Sequence, residues 1–329
     1  MTTGIALTFL IGIIWMLVGI IYSKATRDKN EFNLFMITYL IIYAILAFLL
    51  PQLFVFEGMQ NIIPLKYMPV KPLSVVPLSE IARLLVLMAP VSIFGFFGFF
   101  LLSIAMRKGS HSVAWGIMQS AIILPFLAGW LIFRDNVNAI NLSGMFLIVV
   151  ALGFMVRGKQ LNNHGSTADV VKNDNKVFLF WTFMAFLGTG ISQIFSLLPN
   201  KVTVICPDSA AFSEAVLAWR IPLMSLCGLC IWTVMGLICK VKFSLSQVKS
   251  GFSYAVVVFA GQTLLYVAID CLSEYNLSGI VYPIAVGCCV VFFALFCIIY
   301  KHEKLHYLEK IGLGILSLGI FAQAIASVL

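Results

Sequence analysis

Continuous apolar runs of about twenty residues recur along the whole chain, divided by short polar turns, and few folds accept that pattern. The hydrocarbon core of a bilayer is ~30 Å thick, which about twenty residues of helix cross. Inside it every backbone N–H and C=O must be satisfied within the protein, so only helices and closed barrels can span. Barrel strands alternate in polarity over about ten residues, whereas these runs are unbroken and roughly twice as long. The sequence predicts ten spans, at 4–22, 33–56, 81–106, 112–133, 139–156, 177–198, 211–239, 252–270, 279–300 and 307–328. With 61% hydrophobic and 10% charged residues in 329, there is no room for a soluble domain. The expected fold is an all-α polytopic membrane protein.

A repeat orders these spans. Residues 278–323 read as an apolar helix, a charged turn and a second apolar helix, and 110–155 have the same plan 168 positions earlier. At that offset Ser278 falls on Ser110, Val281 on Val113, Leu295 on Leu127, Glu303 on Asp135 and Gly312 on Gly144. The chain therefore divides into a first five-helix repeat (1–156), a polar linker (157–176) and a second five-helix repeat (177–329). Five spans per half is an odd number, so the second half must enter the membrane with the opposite orientation. Inverted repeats of this kind are a recurring construction of secondary transporters, whose sites lie near the midplane between the halves.

Charge sets the expected orientation. Loops 1–2, 3–4, 5–6, 7–8 and 9–10 carry fifteen Lys and Arg, counting Lys310 one turn into the last span, against four in the other loops. The positive-inside rule makes the first set cytoplasmic and puts both termini outside. The net charge of +8 is explained by these loops, and no nucleic-acid partner is expected. No cleaved signal peptide is expected either, because positive charge follows the first apolar run instead of preceding it.

Pro64, Pro69, Pro72 and Pro77 prevent a continuous helix over 57–79, which reads either as a cover over one mouth of the protein or as a linker. Spans 3 and 7 are longer than needed and each holds a proline, Pro90 and Pro222, able to kink it. The eight cysteines all fall between Cys206 and Cys297, and Cys227 and Cys230, although spaced C-x-x-C, read as small packing residues of a buried helix. His111, His164, His302 and His306 all sit in predicted loops, so no metal site and no cofactor is expected.

The segments SHSVAWGIMQSAIILPFLAGWLIFRDN and SGIVYPIAVGCCVVFFALFCIIYKHEKL each end a helix in an acidic turn, with Gly144 and Gly312 entering the next. In this paired feature the chain resembles the drug/metabolite transporter superfamily, in its form of two five-helix EamA-like repeats. Helix 1 (GIIWMLVGIIYSKA) and the overall layout are similar to the rhamnose–proton symporter group. Asp135 stands where the superfamily usually has glutamate. The resemblance implies a transporter of small metabolites, with a substrate site between the halves.

Few ionisable groups lie within the spans, and a charge at membrane depth usually faces a protein interior or a cavity. Arg220, about ten residues into span 7, reads either as a fixed positive charge facing substrate or a carboxylate, or as an arginine reaching an interface or held in a structural pair. Glu214, near the start of that span, is the candidate proton-coupling carboxylate, with a solvated interfacial residue as the alternative. Glu57, Asp270 and Glu274 read as interfacial, and Glu80 and Arg83 as a local pair. Uncharged groups in mid-span complete the candidate substrate site: Trp15, Gln119, Gln193, Gln262, Tyr266 and Tyr282. Each alone could be an inter-helix bond or part of an aromatic belt, but spread over spans 1, 4, 6, 8 and 9 they predict a polar central cavity. Gly12, Gly19, Gly188, Gly190 and Gly261 read as close-approach positions between helices.

No P-loop, H-E-x-x-H or G-x-S-x-G occurs, so neither ATP drive nor hydrolytic catalysis is expected. The leading reading is a secondary active transporter of a small polar metabolite, sugar-like or amine- or amino-acid-like, in a bacterial inner membrane. Its expected partners are the substrate, protons as candidate coupling ion and the bilayer, and it would act as a monomer or homodimer. The alternatives are a lipid or glycolipid flippase of the same fold, and an intramembrane enzyme acting on lipid-linked substrates.

Overall fold

The computed structural model describes residues 2–26, 32–53, 76–132, 138–161, 168–205, 210–238, 241, 243–273 and 281–326. Among them there is no strand. The helices are α1 (Thr2–Ala25), α2 (Phe32–Leu53), α3 (Leu78–Lys108), α4 (His111–Gln119), α5 (Ile123–Leu131), α6 (Ala139–Leu161), α7 (Ala168–Ile205), α8 (Ala210–Ile238), α9 (Leu245–Ser273), α10 (Val281–Tyr300) and α11 (Tyr307–Ala326). Eight segments among the described residues are long and apolar enough to cross a membrane, and Ile284–Tyr300 is apolar but shorter. The chain is a polytopic helical membrane protein.

Two elements differ from the sequence reading. The span expected at 112–133 is broken: a 3₁₀ turn, Ser120–Ile122, separates α4 from α5. Pro125 has no N–H for the Ala121 carbonyl and crowds it. The Ser120 hydroxyl also donates back to the Gly116 carbonyl at 2.8 Å, a bond that bends helices. The polar stretch 157–176 is largely helical, because α6 continues to Leu161 and α7 already begins at Ala168. Residues 168–176 contain neither Gly nor Pro, so nothing in them stops a helix. The proline-rich stretch 57–75, with Glu57, and the acidic turn at Asp135 lie outside the described residues, as does Glu274.

Packing follows the small residues. α3 lies along α7, and α6 along α11. A Cβ on Gly98 of α3 would sit 2.5 Å from Thr189 Oγ1 and 3.0 Å from its backbone N. One on Gly319 of α11 would sit 2.8 Å from the Gly144 carbonyl oxygen. The expected close-approach glycines behave alike: Gly12 faces Cys288, Gly19 faces Phe293 and Trp115, Gly188 faces Gly98, Gly190 faces Leu124 and Gly261 faces Trp15. In lipid, where apolar burial drives little helix association, such backbone proximity is what packs helices. Elsewhere α1 packs on α9 and α10, α7 on α3 and on the α4–α5 unit, α3 and α2 on α8, and α2 on α9.

The core is uneven from end to end. At the end carrying the basic loops, one continuous cluster joins the helices. Its centre is aromatic: Tyr22 meets Phe32 edge-on at 5.5 Å and lies 6.1 Å from Tyr254, while Trp232 meets Phe96 at 4.7 Å and Phe32 at 5.7 Å. The Tyr22 hydroxyl donates to the Phe99 carbonyl, and Lys301 Nζ to Ser23 Oγ at 3.0 Å. Toward the other end the core splits. Among the described residues Leu84, Met88 and Phe212 join α3 to α8, Ile11, Leu265 and Ala285 form a cluster of α1, α9 and α10, and Tyr43, Ala47, Ile221 and Ala255 a third of α2, α8 and α9.

Candidate functional site

Between the aromatic layer and the split end lies a cavity of about 590 Å³, within the range of small-molecule sites. It is bounded by α1, α2, α3, the α4–α5 unit, α7, α8, α9 and α10. Each wall has its own chemistry. α7 contributes Thr189, Ser192, Gln193 and Ser196, spaced i, i+3, i+4 and i+7 and so on one helix face. α9 contributes Tyr254, Val258 and Gln262, again one face. α2 contributes Tyr39 and Tyr43, α1 contributes Trp15, and Trp115, Gln119 and Phe126 come from either side of the break between α4 and α5.

The break has a local use. A helix interrupted by a 3₁₀ turn and Pro125 leaves backbone carbonyls without their usual donors, and in membrane proteins irregular backbone is tolerated where it lines a cavity. Gln119 and Ile122 flank or end that turn, and both line the cavity with Pro125. Trp15 is seated by Gly261: a Cβ there would lie 3.0 Å from the indole Nε1.

Two polar atoms of the α7 face are already used. Ser192 Oγ donates to the Val91 carbonyl on α3 at 2.7 Å, and Ser196 Oγ to the Gln193 carbonyl at 2.7 Å. Two atoms are not: Thr189 Oγ1 and Gln193 Oε1 are buried without a hydrogen-bond partner. A buried polar atom left without a partner costs ~1–3 kcal/mol. Thr189 Oγ1 is turned to Gly98 at the α3–α7 crossing, which leaves Gln193 Oε1 as the atom of this wall that a hydrogen-bonding guest would satisfy.

The structure brings Trp15, Gln119, Gln193 and Gln262 together around this cavity. The side chains of Tyr266 and Tyr282 lie outside the described residues, as does that of Asp270. Arg220 is not in the lining. Its Nη2 donates to the Ser196 carbonyl at 2.6 Å, one residue from the carbonyl that Pro199 leaves without an intrahelical donor. It thus reaches the cavity wall from behind. Glu214 is half-buried near the start of α8 and is not in the lining either. Glu80 and Arg83 pair at 3.9 Å, and Arg83 lies 4.7 Å above the Phe212 ring. Cys227 and Cys230 are free thiols, and no metal-ligating cluster occurs among the described residues.

Sequence reasoning missed Thr189, Ser192, Ser196, Tyr39, Tyr43, Trp115 and Tyr254. A usable signal existed on α7, where the hydroxyls flank Gln193 at helical spacing. The tyrosines carried none, because an aromatic near a helix end looks the same in a cavity wall and in an interfacial belt.

No family model matches the chain, and no curated protein matches it in sequence. A solved structure described only as "Crystal structure of protein" is similar over 98% of this chain and 98% of its own, with a TM-score of 0.54 at 11% identity. A likeness at that identity concerns the fold alone.

Proposed function

We propose that the protein is a secondary active transporter of a small polar metabolite, working by alternating access between two inverted five-helix halves of the drug/metabolite transporter kind. The observation that carries this reading is the central cavity, lined from both halves and closed by a continuous core at the basic-loop end.

The pattern of helix neighbours supports the inverted halves. Exchanging α1 with α7, α2 with α8, α3 with α9, the α4–α5 unit with α10, and α6 with α11 turns most packing pairs into one another. α3–α7 becomes α9–α1, α1–α10 becomes α7 with α4–α5, and α3–α8 becomes α9–α2, while α2–α8 and α6–α11 map onto themselves. The contact of α10 with α11 is the exception, having no counterpart of similar extent between α5 and α6. On this reading ten spans cross the membrane, α10 and α11 included.

With the basic loops cytoplasmic and both termini outside, the aromatic layer closes the cytoplasmic side and the cavity belongs to an outward-facing state. Transport then requires the layer to part while the smaller clusters toward the outer end come together. No carboxylate lines the cavity among the described residues, so proton coupling would run through a group outside the lining, with Glu214 the candidate. The membrane is proposed to be a bacterial inner membrane.

The test is uptake into proteoliposomes from a panel of sugars, amino acids, amines and neutral heterocycles, with and without a pH gradient. Saturable uptake of at least one solute, absent from protein-free vesicles, is expected. A well-folded preparation that moves none of them would refute the transporter reading, and stimulation by an inward proton gradient would assign the coupling ion.

A further inference from the structure

We infer that the cavity takes an uncharged planar heterocycle with hydrogen-bond donors and acceptors side by side on its edge, of the nucleobase or nucleoside class. This rests on the transporter reading for what becomes of the ligand, but on the cavity alone for its chemistry.

Charge comes first. No Asp, Glu, Lys, Arg or His lines the cavity among the described residues. The nearby guanidinium of Arg220 is turned to the Ser196 carbonyl. A carboxylate, phosphate or zwitterion would be desolvated here with no oppositely charged side chain among the described lining residues to pair with it directly, which buried ions tolerate poorly. That disfavours amino acids and phosphorylated metabolites.

Hydrogen-bonding character comes next. Gln119, Gln193 and Gln262 present three primary amides from three helices, α4, α7 and α9. Each amide offers a donor and an acceptor in one plane. That is the complement of a ring edge on which N–H stands beside a carbonyl or ring nitrogen, the pairing glutamine makes with adenine in nucleic-acid recognition. A sugar presents hydroxyls that each donate and accept all round its ring, without the coplanar donor–acceptor edge and the flat face that a heterocycle offers to amides and aromatic rings. A quaternary ammonium would suit the aromatic rings but would leave three amides with nothing to bond.

The remaining walls fit the faces of such a ring. Trp15 and Tyr254 stand on the neighbouring helices α1 and α9 and supply flat apolar surfaces, and aromatic side chains stack on any base because every base has a π-face. Gln193 Oε1, buried without a partner on a residue of the cavity wall, marks where a ligand N–H would be received. A ring amide or exocyclic amine carries such a donor and no net charge.

The experiment measures binding to the purified full-length protein in detergent by calorimetry and thermal shift, with uracil, adenine, uridine and adenosine as probes against glucose, choline and alanine. At least one of the four heterocycles is expected to bind saturably and raise the melting temperature, with the three controls at least tenfold weaker. Gln193→Leu removes the unpartnered acceptor without adding charge. It should keep or raise the melting temperature of the free protein, since a buried unpartnered polar atom is lost, and should weaken the bound heterocycle by tenfold or more. Preferred binding of glucose, choline or alanine would overturn the inference, as would no heterocycle binding or unchanged affinity in Gln193→Leu. Uptake of the same probes keeps the two readings apart. Uptake of a control solute with no heterocycle binding overturns the substrate class but upholds transport. Specific heterocycle binding without uptake upholds the class and counts against transport.

Discussion

Glu303 shows how much one side chain can organise at a helix end. The chain turns out of α10 through His302, whose φ of 52° is left-handed, and Glu303 N–H reaches the Cys297 carbonyl at 3.1 Å. The carboxylate then crosses to the N-terminus of α4. It accepts from Ser110 Oγ at 2.8 Å, His111 N–H at 2.9 Å, Ser112 Oγ at 2.6 Å and Ser112 N–H at 3.3 Å. These backbone donors have no partner inside their own helix, and a negative charge there also faces the positive end of the dipole. Burial pushes the Glu303 carboxyl up, but the serine hydroxyls and the two amides outweigh burial and hold it below the usual carboxylate range. A depressed carboxyl contributes stability that is fully present above its unfolded value, about 4.3, and lost as pH falls through its folded value. Glu303→Ala is expected to lower stability by about 2 kcal/mol near neutral pH, the scale of hydrogen bonds to a charged group. Melting curves in detergent should show the gap between the two proteins steady from pH 8 to 5 and closing below about 4.3. A gap independent of pH would mean that the charge is immaterial. The sequence located Glu303 by its 168-residue match to Asp135, yet nothing in the local pattern said which helix end it would serve.

At the scale of elements, periodicity and hydropathy were readable because a bilayer imposes them on every span. What they could not convey was where a helix gives way or runs on. Pro125 lies in an apolar run as hydropathic as its neighbours, so the break at Ser120–Ile122 left no trace in polarity. Arg220 illustrates the same limit: its position in mid-span was plain, but its partner is the Ser196 backbone carbonyl, and a carbonyl has no sequence signature. Glycines are the converse case, where the element pairing gives an ambiguous residue its meaning. Gly98 abuts backbone atoms of α7, so Gly98→Ala forces α3 and α7 apart and should cost about 1–3 kcal/mol, as overpacking does. Gly153 on α6 has nothing within 4 Å of an added Cβ, so Gly153→Ala should be neutral or stabilise by up to about 1 kcal/mol through helix propensity. Thermal or denaturant unfolding of both variants in one detergent checks the pair. Equal effects would show that helix propensity, and not crossing distance, governs these positions.

For the whole molecule, the contrast between the two ends is the most informative feature. One continuous aromatic core closes the basic-loop end, and among the described residues smaller clusters hold the rest. On the proposed transporter reading, the cavity should be exposed to one side only, and the layer's packing should set how rarely the other side opens. Trp232 is the keystone of that balance, 2% exposed and in ring contact with Phe32, Phe96 and Phe100. Trp232→Leu keeps the site apolar but removes those ring contacts, each worth roughly 0.5–1.5 kcal/mol beyond area. If the proposed opening of this end breaks these contacts, their loss favours the opposite-facing state by about the same amount, a several-fold to tenfold change in population or more. The readout is a single cysteine at Gln119, in a background freed of the eight native cysteines, labelled in oriented vesicles by a membrane-impermeant thiol reagent. With Trp232 present, labelling should come from the side of the termini and be slow from the basic-loop side. With Trp232→Leu, labelling from the basic-loop side should accelerate several-fold, while labelling from the terminal side slows. The same measurement tests orientation, because a C-terminal reporter fusion identifies which side is cytoplasmic. Equal labelling from both sides in the parent protein would mean that the aromatic layer does not seal, and alternating access would lose its structural basis here.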